Sequence, residues 1–141
     1  MSTLISENQN LISQKASIIN PNIKLIGIIN SRGRMVDSIG HDTIEMPNDK
    51  KDMFFMKIAL RNCMQLDFDE YLGAVNYCMT ERGGTKYISV PIPNGNTIFA
   101  ITKKEVNHED LVEGINQIIK YSQQFLGEII SKEAGGERGN E

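Results

Sequence analysis

The stretch from Pro47 to Asp67 constrains this chain more than any other. Asn48 or Asp49 can cap a helix there through a side-chain oxygen, and Asp52 puts an acid in the first turn, where the helix dipole favours negative charge. At about 100° per residue, Phe55, Leu66, Ala59, Cys63, Met56, Leu60, Met53 and Met64 span roughly 180° of the helix surface. Lys57, Arg61, Gln65 and Asn62 form a polar stripe, on which Phe54 and Ile58 encroach. A helix packed once against a sheet needs an apolar stripe only slightly wider than about 100°. The surplus therefore calls for a second surface. One solution is a single core filled out by adaptable methionines. The other is a core face plus a partner face centred on Phe54 and Ile58 beside Asn62, an aromatic next to an aliphatic on one patch. We assign Phe54 and Ile58 to the partner face and the remaining apolar residues to the core.

The flanking segments read as strands. Ile23 to Asn30 carries apolar side chains on both faces, Ile23, Leu25, Gly27 and Ile29 on one and Ile26 and Ile28 on the other, which marks a central strand. Ser31-Arg32-Gly33-Arg34 is a tight hairpin connection with Gly33 free to take positive φ, and Met35 to Gly40 is a shorter strand at an edge. Leu72 to Thr80, Lys86 to Pro93 and Asn96 to Lys103 supply three more strands, joined by turns over residues 81–85 and at Asn94-Gly95. Pro91 and Pro93 cannot donate ladder hydrogen bonds, so pairing should fail or bulge toward the end of the middle strand.

Two further helices complete the chain. Residues 3–17 have the spacing of a short amphipathic helix, which Asn20-Pro21-Asn22 breaks. A last helix opens at Asn107, with Asp110 three residues on as a variant capping box, and its face runs through Leu111, Ile115, Ile118, Ile119, Phe125, Leu126 and Ile129. Residues 133–141 hold three glycines and three glutamates and read as a disordered tail after a single domain over residues 1–132. The order α-β-β-α-β-β-β-α predicts an α+β domain: one five-stranded antiparallel sheet with helices on its faces.

Composition removes several functions. The 141 residues are 40% hydrophobic and 23% charged, as in a globular domain, and the net charge of −3 opposes nucleic-acid binding. No run reaches the ~18 apolar residues of a membrane span, and Met1 to Asn10 lacks a leader pattern, so the expected setting is cytoplasmic. Cys63 and Cys78 form no CxxC pair and no four-ligand zinc site, and they fit buried thiols, with a mutual disulfide left open.

The chemistry-bearing residues are few. His41-Asp42 resembles one pair of a metal-dependent phosphohydrolase, but such a site needs further ligands and the only other histidine is His108. Asp67, Asp69 and Glu70 lack the glycine and distal glutamate of a calcium loop. Lys24, Arg32 and Arg34 could meet an anion at the first hairpin, or form a solvated turn. There is no GxxxxGK[ST], and Gly83-Gly84 lies between strands rather than at a helix start. Neither Ser31 nor Cys63 has the context of an activated nucleophile. The expectation is a non-enzyme without metal or cofactor.

The element order, with Gly27-Ile28-Ile29-Asn30, Gly33-Arg34, Ala59-Leu60-Arg61 and Phe68-Asp69-Glu70-Tyr71-Leu72-Gly73, resembles the roadblock/dynein-light-chain family of profilin-like folds, and small archaeal proteins of that pattern in particular. The resemblance implies a non-enzymatic scaffold or regulatory module. It would form a homodimer or a heterodimer with a related chain, and serve as a platform for a small Ras-like GTPase. Carried onto this chain, the pairing strand is Leu72 to Thr80 and the stacking helix Asp52 to Leu66. With the helix surplus this gives a candidate interface of Phe54, Ile58, Arg61, Asn62, Val75 and Tyr77. The rival expectation is a small-molecule sensor of profilin- or PAS-like architecture. An outward Phe54 predicts that Phe54→Asp yields a folded monomer. Deleting residues 133–141 should leave the melting temperature unchanged in a thermal scan.

Overall fold

A β-branched segment buried on both faces can only lie inside a sheet, and Ile23–Ile29 does so as strand β1. A computed structural model of the chain describes residues 22–40 and 44–120. The expected first helix, His41-Asp42, the far end of the last helix and the acidic tail lie outside them.

Strands β1, β2 (Met35–Gly40), β3 (Cys78–Arg82), β4 (Thr85–Pro91) and β5 (Thr97–Lys103) form one sheet in the order β2-β1-β5-β4-β3, every pair antiparallel. The central and edge positions expected of β1 and β2 are those observed. Helix α1 (Asn48–Gln65) continues through a 3-10 turn (Leu66–Phe68) and a short helix α2 (Asp69–Leu72), and Gly73 ends the run at φ +85°. A last helix, α3, covers residues 108–120. No helix among the described residues is long and apolar enough to cross a membrane.

Each face of the sheet carries its own core. On one, Ile26, Ile28, Ile88, Val90, Ile98 and Ala100 pack with Leu111, Val112, Ile115 and Ile119 of α3. On the other, Leu25, Ile29, Phe99 and Ile101 pack with Phe55 and Ile58 of α1. The Asn107 Oδ1 atom accepts from the backbone N–H of Glu109 (3.0 Å) and Asp110 (3.1 Å), as the capping pattern required.

Three local expectations need correction. Helix α1 is not capped by Asn48 or Asp49: Pro47 is the extended residue before it, no side chain caps it, and the first-turn acid is Asp49 rather than Asp52. The third strand begins at Cys78, not Leu72, because residues 66–72 prolong the helical run and 73–77 have no regular structure. Pro91 accounts for the late start. The Ile92 N–H donates to Asn96 O on the β5 side, so odd-numbered residues of β4 direct their N–H toward β3. The β3–β4 ladder runs from Arg82–Thr85 to Cys78–Ser89 and stops where Pro91 would have to donate. Pairing with β5 continues through Pro91–Thr97, so the expected failure falls on one side only.

The third correction concerns α1 itself. Ile58 is 7% exposed and Phe54 is half-buried, both turned to the sheet. Phe54 lies 5.9 Å from Phe99 and 6.1 Å from Tyr87 in edge-on geometry, and Phe55 lies 6.0 Å from Phe99. These four rings, with Ile58, pack the helix against the sheet, so neither Phe54 nor Ile58 forms an outward face.

The hairpin after β1 is also tied to α1. Gly33 is buried at φ +84°, and a Cβ there would lie 2.6 Å from Met56 Cα. Asn30 Oδ1 braces the same turn, accepting from the N–H of Arg32 and Arg34 at 3.0 Å each. Gly33→Ala should therefore cost about 2–4 kcal/mol, from left-handed strain plus a backbone clash, read as a lower urea midpoint. Phe54→Asp should lose about 3 kcal/mol and the cooperative transition, instead of releasing a stable monomer. Asn107→Ala should cost about 1 kcal/mol by the same measurement.

Candidate functional site

Helix α1 meets the sheet through polar groups as well as rings. Arg61 Nη2 donates to Ser89 Oγ at 3.0 Å, and Asn62 Nδ2 donates to Thr97 Oγ1 at 2.6 Å. Ser89 and Thr97 are buried polar residues of β4 and β5. Two buried atoms of the pair, Arg61 Nε and Asn62 Oδ1, have no hydrogen-bond partner among the described residues.

With Phe54, Phe55, Ile58, Arg61 and Asn62 turned inward, the opposite surface of the helix exposes several large apolar side chains, the β1–β2 hairpin approaching it at Met56. Met53 is 47% exposed, Met56 and Leu60 55% each, and Met64 60%. Leu66, Phe68, Tyr71 and Leu72, in the turns that follow to the end of the helical run, are exposed as well. Cys63 is exposed as well, and both it and Cys78 are free thiols, so the expected burial fails for Cys63.

Two grooves flank the helix. The larger, about 370 Å³, lies between the C-terminal half of α1, residues 74–75 and the β4–β5 turn, with Asn62, Cys63, Val75 and Ile92 in its walls. The smaller, about 260 Å³, lies between α1 and the β3–β4 hairpin; Lys57, Arg61, Arg82 and Thr80 line it over Phe54, Tyr87 and Phe99. Strand β3 closes one end of the sheet order, so its outer backbone groups have no ladder partner among the described strands.

The six candidate interface residues do not form one patch. Phe54, Ile58 and Arg61 share the smaller groove, while Asn62 and Val75 share the larger. Tyr77 packs against the α3-side core, its ring 5.8 Å from that of His108. His108 Nδ1 accepts from Lys86 Nζ at 3.2 Å, and the same ammonium donates to Val106 O at 2.8 Å. Lys24, whose Nζ donates to Thr85 Oγ1 at 3.4 Å, stands at the far end of β1 from Arg32 and Arg34, so these cations are not gathered at the hairpin. The residues sequence reading missed are Met53, Met56, Leu60 and Met64, which it placed in the core. The available signal was chemical: the sheet took aromatic and β-branched side chains and left flexible thioethers outside.

No family model and no curated protein matches this chain. Solved structures do. A roadblock/LC7 domain from Streptomyces avermitilis superposes with a TM-score of 0.64 at 12% identity, covering 83% of this chain and 96% of that one. Myxococcus xanthus MglB gives 0.59 at 10% identity, over 86% and 94%. An MglB with a tetrameric arrangement gives 0.65 at 7% identity, over 86% and 90%. The five-stranded antiparallel sheet with a long helix between β2 and β3 is the roadblock/LC7 fold.

Proposed function

We propose that this chain is a non-enzymatic dimerising scaffold or regulatory module that works through the uncovered side of α1. The carrying observation is the strip of Met53, Met56, Leu60 and Met64, roughly half exposed, with Phe68, Tyr71 and Leu72 exposed further along the same helical run. Clustered exposed apolar surface is where proteins meet one another. Methionine suits such a surface because its unbranched chain adapts to a partner's shape. The outer edge of β3, unpaired among the described strands, lies at the end of the sheet and offers backbone donors and acceptors to a second strand. The first partner is a second copy or a related chain. The tetrameric arrangement of one structural neighbour supports self-assembly. A small Ras-like GTPase is the further partner that the family resemblance suggests.

The larger groove favours one other reading, a small-molecule sensor. Its volume of about 370 Å³ is at the lower end of ligand pockets. A ligand retained through purification, seen by mass spectrometry of the denatured sample, would favour that reading.

The scaffold reading is tested by absolute mass from light scattering over a range of concentrations. The expected value is twice 15.8 kDa. Leu60→Asp with Met64→Asp should halve that mass and leave circular dichroism and melting temperature nearly unchanged, since both positions are already solvated. A monomer at every concentration would remove the homodimer.

A further inference from the structure

We propose that the smaller groove, between α1 and the β3–β4 hairpin, is an oxyanion-binding site whose ligand is a carboxylate or a phosphate group. Three cations line this cavity of about 260 Å³, Lys57, Arg61 and Arg82, and no Asp or Glu is among its lining residues. They come from two elements: Lys57 and Arg61 are one helical turn apart on α1, and Arg82 reaches in from β3. Like charges lining one groove repel one another, and an anion bound among them is attracted to all three. The cluster is not a reflection of overall charge, because the chain as a whole carries −3.

The local acids do not neutralise it. Glu81 is next to Arg82, but side chains alternate along a strand, so Glu81 belongs to the opposite face of the sheet from Thr80 and Arg82. Among the described residues, neither Lys57 nor Arg82 has an ion-pair or hydrogen-bond partner. Arg61 is different. Its bond to Ser89 Oγ fixes the guanidinium, and its buried Nε is left without a partner. A pinned, planar guanidinium loses little freedom when it receives an oxyanion. Thr80 adds a hydroxyl donor to the lining, and the rings of Phe54, Tyr87 and Phe99 supply an apolar wall, beside which charge–charge attraction is stronger than in open water. The space accommodates a phosphate group or the end of one acidic side chain. This assignment does not depend on self-association.

The experiment is a two-dimensional amide NMR titration of the full chain at constant ionic strength, with inorganic phosphate in one arm and a hexaglutamate peptide in the other. Saturable shifts confined to Thr80, Arg82, Tyr87 and residues 57–61 are expected. Lys57→Ala with Arg82→Ala should weaken binding by about tenfold or more. Lys50→Ala with Lys104→Ala, which removes the same charge elsewhere, should leave it unchanged. Both cations to be removed from the groove are exposed, and unchanged spectra away from it verify the fold. Equal saturation by phosphate and peptide assigns a free small oxyanion as the ligand; tenfold tighter binding of the peptide assigns an acidic protein surface. Equal weakening in the two double variants, or no saturable shift with either probe, overturns the proposal.

Discussion

Two hydroxyls buried in a sheet decide how the long helix lies on it. Ser89 and Thr97 are both almost wholly buried, and an unsatisfied buried polar group costs about 1–3 kcal/mol. The α1 side chains bonded to them are Arg61 and Asn62. Rotating the helix to bury its methionines would take both partners away. Polar matching thus sets the rotation, and the aromatic cluster of Phe54, Phe55, Tyr87 and Phe99 locks it about two turns earlier. The outward strip, the walls of both grooves and the inward lean of Arg61 all follow from that rotation.

The second constraint is a missing N–H. Pro91 ends the β3 ladder at Cys78, which leaves residues 73–77 outside the sheet and free to form a wall of the larger groove. A five-residue edge strand is short, and short edges are one way in which sheets limit uncontrolled pairing. Only five residues of β3 are therefore available for pairing along that edge.

Much of the fold was legible from local chemistry. Apolar residues on both faces of Ile23–Ile29 revealed the central strand, Gly33 and Asn107 marked a turn and a cap, and Pro91 announced a ladder that would break. The start of β3 was not legible, because Leu72 to Tyr77 is as apolar as a strand and the side of β4 that Pro91 would cripple depends on register. The site was legible only in part. The apolar arc is wider than one sheet contact needs, and part of it is exposed in the structure, but helical periodicity gives relative angles between residues and no absolute direction. Phe54 and Ile58 were therefore assigned outward and Met53, Met56, Leu60 and Met64 inward, the reverse of what the hydroxyls of Ser89 and Thr97 impose. Those two residues are 27 and 35 positions beyond Asn62 in sequence, so no local pattern records the pairing of both.

The outward strip has a chemical vulnerability that a leucine surface would lack. Met53, Met56 and Met64 are thioethers, each with about half its surface open to solvent. Oxidation turns such a side chain into a polar sulfoxide, and dedicated reductases turn it back. None of the three belongs to either buried core, so the sulfur can change state with the sheet and helices intact. Oxidation would consequently change the polarity of this face without a change in the sequence.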